Sequence, residues 1–376
     1  LMAGIYIHIP FCKKKCSYCD FHFSTSLSKK DDIILCLIKE LEIRKKYLNE
    51  NIETIYFGGG TPSLLSKKEI MSIIDKIYKL FNVIPGVEIS LEANPNDLTK
   101  QKINDLKKSA INRLSIGVQS FQNNDLKFMH REHTAQQAKK CIEDAQDSGL
   151  QNISIDLIYG SPNLKNEKWI ENLNEAINLN IPHISAYSLT IEKNTLLHKM
   201  IEKKLCNPID DQKTKEQFLI MMELLEKNKY IHYEISNFSK KDQLSIHNTN
   251  YWRNKSYLGI GPSAHSFNGI ERQWNISNNS LYIKSISKCK IPCEVEKLNE
   301  KDKYNEYILT SLRTIWGVNS SFIKMTFSSF FYSFFKKNAQ KWIKSGHILQ
   351  KNEKITLSKK GKLFADKISS ELFWTE

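Results

Sequence analysis

Residues 9–21 read IPFCKKKCSYCDF and bring three thiols, Cys12, Cys16 and Cys19, into eight positions. The spacing is CX3CX2C, and it follows a β-branched apolar run, GIYIHIPF (4–11). A short apolar run of that kind reads as a buried strand. The thiols therefore stand on a loop just past a strand end. Three thiolates on one loop can reach a single compact centre, and the question is what takes three and not four.

The pattern around this strand repeats. Further runs are TIYFGGG (54–60), EISLEANP (88–95), RLSIGVQSF (113–121), NISIDLIYG (152–160) and HISAYSLT (183–190). Helical periodicity falls between them, as in KKEIMSIIDKIYKLF (67–81), LTKQKINDLKKSA (98–110) and AQQAKKCIEDAQDSG (135–149). Strands alternating with helices make a parallel sheet, because each crossover needs a helix to return the chain. The expected fold class is α/β, with six units resembling an incomplete TIM-type barrel, (βα)6 in place of (βα)8. Each run is apolar at its start and unusual at its end. The cysteines, Gly58 to Thr61, Glu92, Gln119 and Asp156 all lie late in a strand or just beyond one. That end carries the active face in parallel α/β folds, so five separated segments are expected to meet at one mouth.

After about residue 230 the rhythm is lost. HYEISNFS (232–239) and HNTNYWRNKSYLGIGPSAHSF (247–267) read as an irregular extension packed on the barrel. From about residue 300, a helix, two short strands around KNEK (351–354) and a final helix suggest a small winged-helix-like domain. The expected division is 1–230, 231–299 and 300–376.

The 376 residues carry a formal charge of +14, from 55 Lys and Arg against 41 Asp and Glu. The cations are spread along amphipathic stretches such as KKDDIILCLIKELEIRKK (29–46), which reads as a solvated face and names no partner. The tail has no concentrated basic recognition helix, so nucleic acid is not expected. No run of eighteen apolar residues and no secretory signal is visible, and the expected location is cytoplasmic. Clustered cysteines in a reducing compartment bind metal or react more often than they pair. Cys36, Cys141 and Cys206 are isolated and read as small buried hydrophobes, and Cys289 with Cys293 cannot complete a site alone.

Zinc ordinarily wants four ligands, so a zinc site here would need a distant His. A [4Fe–4S] cube held by three cysteines keeps one iron open. The amino and carboxylate groups of S-adenosylmethionine can chelate that iron, and an electron from the cluster can then break a carbon–sulfur bond of the sulfonium. The vacancy is then where the ligand binds. CX3CX2C after a first barrel strand is similar to the signature of the radical S-adenosylmethionine family. With YIHIPFC, GGGTPS, EANP, GVQSF, DLIYG and YEISNF, the chain from about residue 4 onward resembles the branch holding oxygen-independent coproporphyrinogen III dehydrogenase and the HemW-like haem chaperones. The resemblance implies a cluster on Cys12, Cys16 and Cys19. It implies one S-adenosylmethionine at Tyr6, Gly59 and Glu92. Tyr18, Gly60, Thr61, Gln119, Arg131 and Asp156 match the positions that hold a second one in the dehydrogenase. It also implies an electron donor such as flavodoxin or ferredoxin.

Two departures from the dehydrogenase pattern favour the chaperone. Phe21 stands where the dehydrogenase has a fourth cysteine, and only Leu1 to Ile5 precede Tyr6 where that enzyme has an arm. HNTNYW (247–252) matches a haem-binding signature of the chaperones, which makes His247 the expected axial ligand, with Tyr251 and Trp252 against the porphyrin and His265 as a weaker candidate. The expected function is to bind haem as cargo and deliver it to recipient haem proteins such as respiratory enzymes. The alternative is oxidative decarboxylation of coproporphyrinogen III in porphyrin biosynthesis. Whether the chain is an enzyme is left open by its residues.

Overall fold

The computed structural model describes residues 1–375. Six parallel strands lie side by side in chain order: β1 Met2–Ile9, β2 Asn51–Gly59, β3 Val83–Ala93, β4 Arg113–Gln119, β5 Ile153–Tyr159 and β6 His183–Ser188. Helices α1 Lys30–Ile43, α2 Lys67–Leu80, α3 Lys100–Lys107, α4 Asn123–Phe128, α5 Ala135–Asp147 and α6 Asn166–Asn178 return the chain between them. The helix starts are set locally. Ser66 and Glu69 form a reciprocal cap on α2, as Thr134 and Gln137 do on α5, which satisfies backbone donors that a helix end leaves free.

Alternation along the strands sorts the side chains. Ile5, Ile7, Ile55, Phe57, Leu91, Ile116, Ile155 and Ile184 belong to the fully buried apolar core. Burial of each such side chain stabilises by roughly 1.5–3 kcal/mol. The intervening positions point into the arc and are polar: Tyr6, Tyr56, Glu92, Ser115, Asp156 and Ser185 line one interior cavity. Register pairs Tyr6 with Tyr56, Glu92 with Ser115 and Asp156 with Ser185, which keeps them on the same face. β1 and β6 do not pair. The arc stays open and continues at both ends into a twelve-stranded sheet.

The segment 231–299 is more regular than its sequence suggests. After α7 Leu196–Glu202 and α8 Asp211–Lys227, the hairpin β7 Ile231–Glu234 and β8 Asn237–Ser239 adds antiparallel to β6. α9 Ile246–Trp252 then crosses to β1, where β9 Tyr257–Ile260 pairs parallel to it. β10 His265–Phe267, β11 Glu271–Asn275, α10 Asn279–Ser287 and β12 Cys293–Lys297 complete that edge. These strands have three to five residues, too few periods for alternation to show in the sequence.

Beyond it come α11 Glu300–Leu312, β13 Val318–Asn319, α12 Ser320–Thr326, α13 Ser329–Lys344, the hairpin β14 Ile348–Lys351 and β15 Lys354–Leu357, then α14 Lys359–Lys362 and α15 Ala365–Glu371. Tyr304, Ile308, Leu312, Phe335 and Ile368 belong to a second apolar cluster within this segment. Helix, strand, two helices and a hairpin are in winged-helix order. Among the described residues no helix is long and apolar enough to cross a membrane.

Candidate functional site

The loop after β1 is pinned from three sides. Cys12 N–H donates to the Ser24 carbonyl at 3.0 Å and Ser17 N–H to the Met129 carbonyl at 3.2 Å. Lys13 pairs with Asp97, whose other oxygen accepts from Ser63 at 2.8 Å. The loop is thereby tied to the ends of β3 and β4. A cavity of about 570 Å³ opens over it, lined by Cys12, Cys16 and Cys19 together with Tyr18, Gly59, Gly60, Thr61, Glu92, Gln119, Arg131 and Asp156. Segments as far apart in the chain as Cys12 and Glu192 thus meet at one mouth.

Each sulfur environment is polar on one side. Thr61 Oγ1 donates to Cys12 Sγ at 3.3 Å, and Arg131 donates to Cys16 Sγ at 3.4 Å. Burial pushes the Cys12 thiol up to about 11, with the Thr61 hydroxyl pulling the other way. A metal centre held here would have to bring its own charge to drive off that proton. Asn94 joins these donors: its amide nitrogen donates to Thr61 Oγ1 at 3.2 Å and its oxygen accepts from Arg131 at 2.6 Å. The sequence reading passed over Asn94 although it lies in EANP. Arg131 also donates to the Gly117 carbonyl at 2.8 Å, while its Nε is buried without a partner.

Two glycines are required by close approach. Gly59 has φ +106°, and a Cβ there would stand 2.6 Å from the His8 ring. At Gly60 it would meet the Phe11 carbonyl oxygen at 2.5 Å. Without side chains the turn lies flat against β1 and exposes backbone to the cavity. Gln119 also has a left-handed φ of +65°, a strain of about 1–3 kcal/mol of the kind found at functional sites.

Glu92 accepts from Tyr56 Oη at 2.8 Å and from Gly59 N–H at 3.2 Å. Burial lifts its pKa to about 7 against those donors, and neighbouring Asp156 adds to the lift. Asp156 is itself raised to about 6 by burial. Two carboxyl groups at the mouth are thus poised near neutrality and would welcome a cation.

Tyr6 does not line this cavity. Its hydroxyl bonds His8 Nδ1 at 3.1 Å and its ring packs behind Gly58, facing two other chambers. One is the inner cavity of about 220 Å³, into which Arg113, Ser154 and His183 also point. The sequence reading missed these three, and the signal was the alternation within RLSIGVQ, ISIDLIY and HISAYS. The other is a side cavity of about 520 Å³ walled by Phe21, Tyr251, Trp252, Tyr257 and Phe267.

His247 is buried beside the inner cavity. Its Nδ1 bonds Thr54 Oγ1 at 2.8 Å and its Nε2 bonds Tyr251 Oη at 2.9 Å. Its ring stacks on Tyr56 at 4.8 Å. In this geometry neither nitrogen offers a lone pair to an iron, because both are engaged by hydroxyl groups on the same chain.

The donor set fits a cluster better than a lone ion. Among the described residues no three His, Cys, Asp or Glu side chains stand close enough to hold a single metal, and no histidine lines the cysteine cavity. A cube spreads its thiolates over separate irons and needs no such convergence, and hydrogen bonds to sulfur are among the contacts that tune it. The unpartnered Arg131 Nε is a donor left over for a ligand.

Such a loop at the mouth of an open βα arc defines a radical S-adenosylmethionine protein, and the family model described as "Radical SAM superfamily" matches residues 6–191. A relative named haem chaperone HemW from Bacillus subtilis is 30% identical over 98% of each chain. One of the same name from Lactococcus lactis is 33% identical over 95% of this chain and 93% of that one. The chain belongs to the HemW family of the radical S-adenosylmethionine superfamily. The solved structure of coproporphyrinogen III oxidase (HemN) from Escherichia coli has the same fold, with a TM-score of 0.86 at 22% identity, covering 99% of this chain and 90% of that one.

Proposed function

We propose that this protein carries a [4Fe–4S] cluster on Cys12, Cys16 and Cys19, binds haem, and passes it to recipient haem proteins. The observation that carries the reading is the side cavity. It is large enough for a cofactor-sized ligand and aromatic-walled, and Phe21 is the one residue it shares with the cysteine cavity. Cargo and cluster can therefore occupy separate chambers. The names of the full-length relatives support haem as the cargo.

In this reading Glu92, Gly59 and Gly60 receive S-adenosylmethionine, whose sulfonium charge and amino N–H donors suit the two poised carboxyls. Tyr18, Thr61, Gln119, Arg131 and Asp156 line the rest of the chamber. Thr61 and Arg131 donate to the cysteine sulfurs, and Tyr6 acts from behind, through Gly58. When bound, the cluster and S-adenosylmethionine supply one-electron chemistry at the sulfonium. Exposed Lys13, Lys14 and Lys15 beside the cluster loop suit an acidic electron donor of the flavodoxin or ferredoxin type. Residues 1–230 hold the cluster, 231–299 the cargo wall, and 300–376 a winged-helix-like accessory part.

The test is anaerobic reconstitution followed by titration with haem. We expect iron and sulfide in the wild type, loss of both in the triple Cys→Ala variant, and about one haem per chain. A reconstituted wild type that binds no haem would overturn the reading.

A further inference from the structure

We infer that His265, on β10, is the axial ligand to haem iron in the side cavity, and that His247 acts as a positioning residue behind Tyr251. The inference rests on the haem reading above. Three imidazoles face this cavity: His8, His22 and His265. His8 is committed on both nitrogens, to Tyr6 Oη at 3.1 Å and to the His22 carbonyl at 3.1 Å. His22 has one nitrogen held by Asn279 Oδ1 at 2.8 Å. Among the described residues the His265 ring has no hydrogen-bond partner, and it is the most exposed of the three.

The surroundings suit a planar, iron-bearing dianion. His265 stands on β10, between β9 and β11, and Arg272 on β11 lines the same cavity. Arg272 spends one nitrogen on Glu306 at 2.8 Å, and its Nε is buried without a partner. It retains donors for a carboxylate. The opposite wall is Tyr251 and Trp252, and the Trp252 indole N–H is also buried without an acceptor. Tyr251 meets Tyr257 edge-on at 4.7 Å and is fixed from behind by the His247 bond. The HNTNYW stretch thus supplies the cavity with its rings, while its histidine faces away from it.

The experiment uses the reconstituted full chain, hemin and metal-free protoporphyrin IX, read by absorbance and resonance Raman. His265→Ala should shift the Soret band, change the iron coordination signature and weaken hemin binding at least tenfold. Added imidazole should restore the wild-type spectrum, and binding of metal-free protoporphyrin should change less than threefold. His247→Gln should weaken both porphyrins alike and leave the hemin spectrum unchanged. A wild type that binds hemin while His265→Ala keeps its spectrum and affinity would overturn the assignment. So would a lost ligand signature in His247→Gln that imidazole restores. A wild type that binds no hemin would instead remove the haem reading, and this assignment with it.

Discussion

Glu92 shows how one side chain joins the barrel interior to its chemistry. Its carboxyl is enclosed yet borders the open mouth, and burial raises its pKa to about 7, against about 4.3 in an unfolded chain. Between those values the folded protein holds a proton that the unfolded chain has lost. Its contribution to stability is therefore full below about pH 4 and is lost as pH rises through 7. Buried His8, His133 and His247 have lowered pKa values, chiefly from burial, and act the opposite way, losing their contribution as pH falls through the lower sixes and below. Comparison with Glu92→Gln isolates the acid. Urea titrations without cofactor should show the variant gaining on the wild type by on the order of 1–3 kcal/mol between pH 5 and pH 8. A difference that stays flat with pH would mean the carboxyl is fully solvated. The sequence placed Glu92 at a strand end. The proximity of Asp156, two strands away, was not legible, because it depends on which strands pair and in what register.

At the scale of elements, the far wall of the side cavity is held by a buried acid on the first helix. Glu40 of α1 is fully buried. It accepts from Gly261 N–H at 2.8 Å, Asn275 Nδ2 at 2.8 Å, Tyr282 Oη at 2.6 Å and Arg44 at 3.4 Å. These donors come from the β9–β10 turn, β11, α10 and α1 itself, so one carboxylate fastens the extension to the barrel. Removing it leaves buried donors and Arg44 without a counter-charge, which costs about 3–5 kcal/mol. Glu40→Ala should lose that much in denaturant titration, with weaker haem binding and an unchanged iron content once reconstituted. A loss under 1 kcal/mol would show that the network is dispensable. In KKDDIILCLIKELEIRKK the residue looks like one more charge on a solvated face. Only its partners on the extension, more than 200 positions away, reverse that reading.

Across the whole molecule, what matters is the separation of chambers. Phe21 stands between the cysteine cavity and the aromatic side cavity. Under the proposed function, a porphyrinogen in the aromatic chamber would lie apart from the cysteine chamber where the radical carbon would form, and a misplacement of about 1 Å can cost on the order of a hundredfold in rate. The reconstituted protein, given reductant and S-adenosylmethionine, should not convert coproporphyrinogen III to protoporphyrinogen IX above background by fluorescence-detected chromatography. Robust product would make decarboxylation the better account, on a fold that the two proteins share.

The local signals in this chain are strong because they are short-range. Thiol spacing, β-branched runs and the glycine turn depend on neighbours in sequence, and they were enough to define the six βα units and the loop that holds the cysteines. What the chain could not state for itself was partnership. Tertiary structure decided that the arc remains open with β9 and β8 at its ends, and that Tyr6 faces away from the cysteines. It also decided that His247 spends both nitrogens on hydroxyls while His265 keeps its own. Each of these follows from contacts between residues far apart in the chain, where the free energy lies in packing and hydrogen-bond pairing that no local pattern encodes.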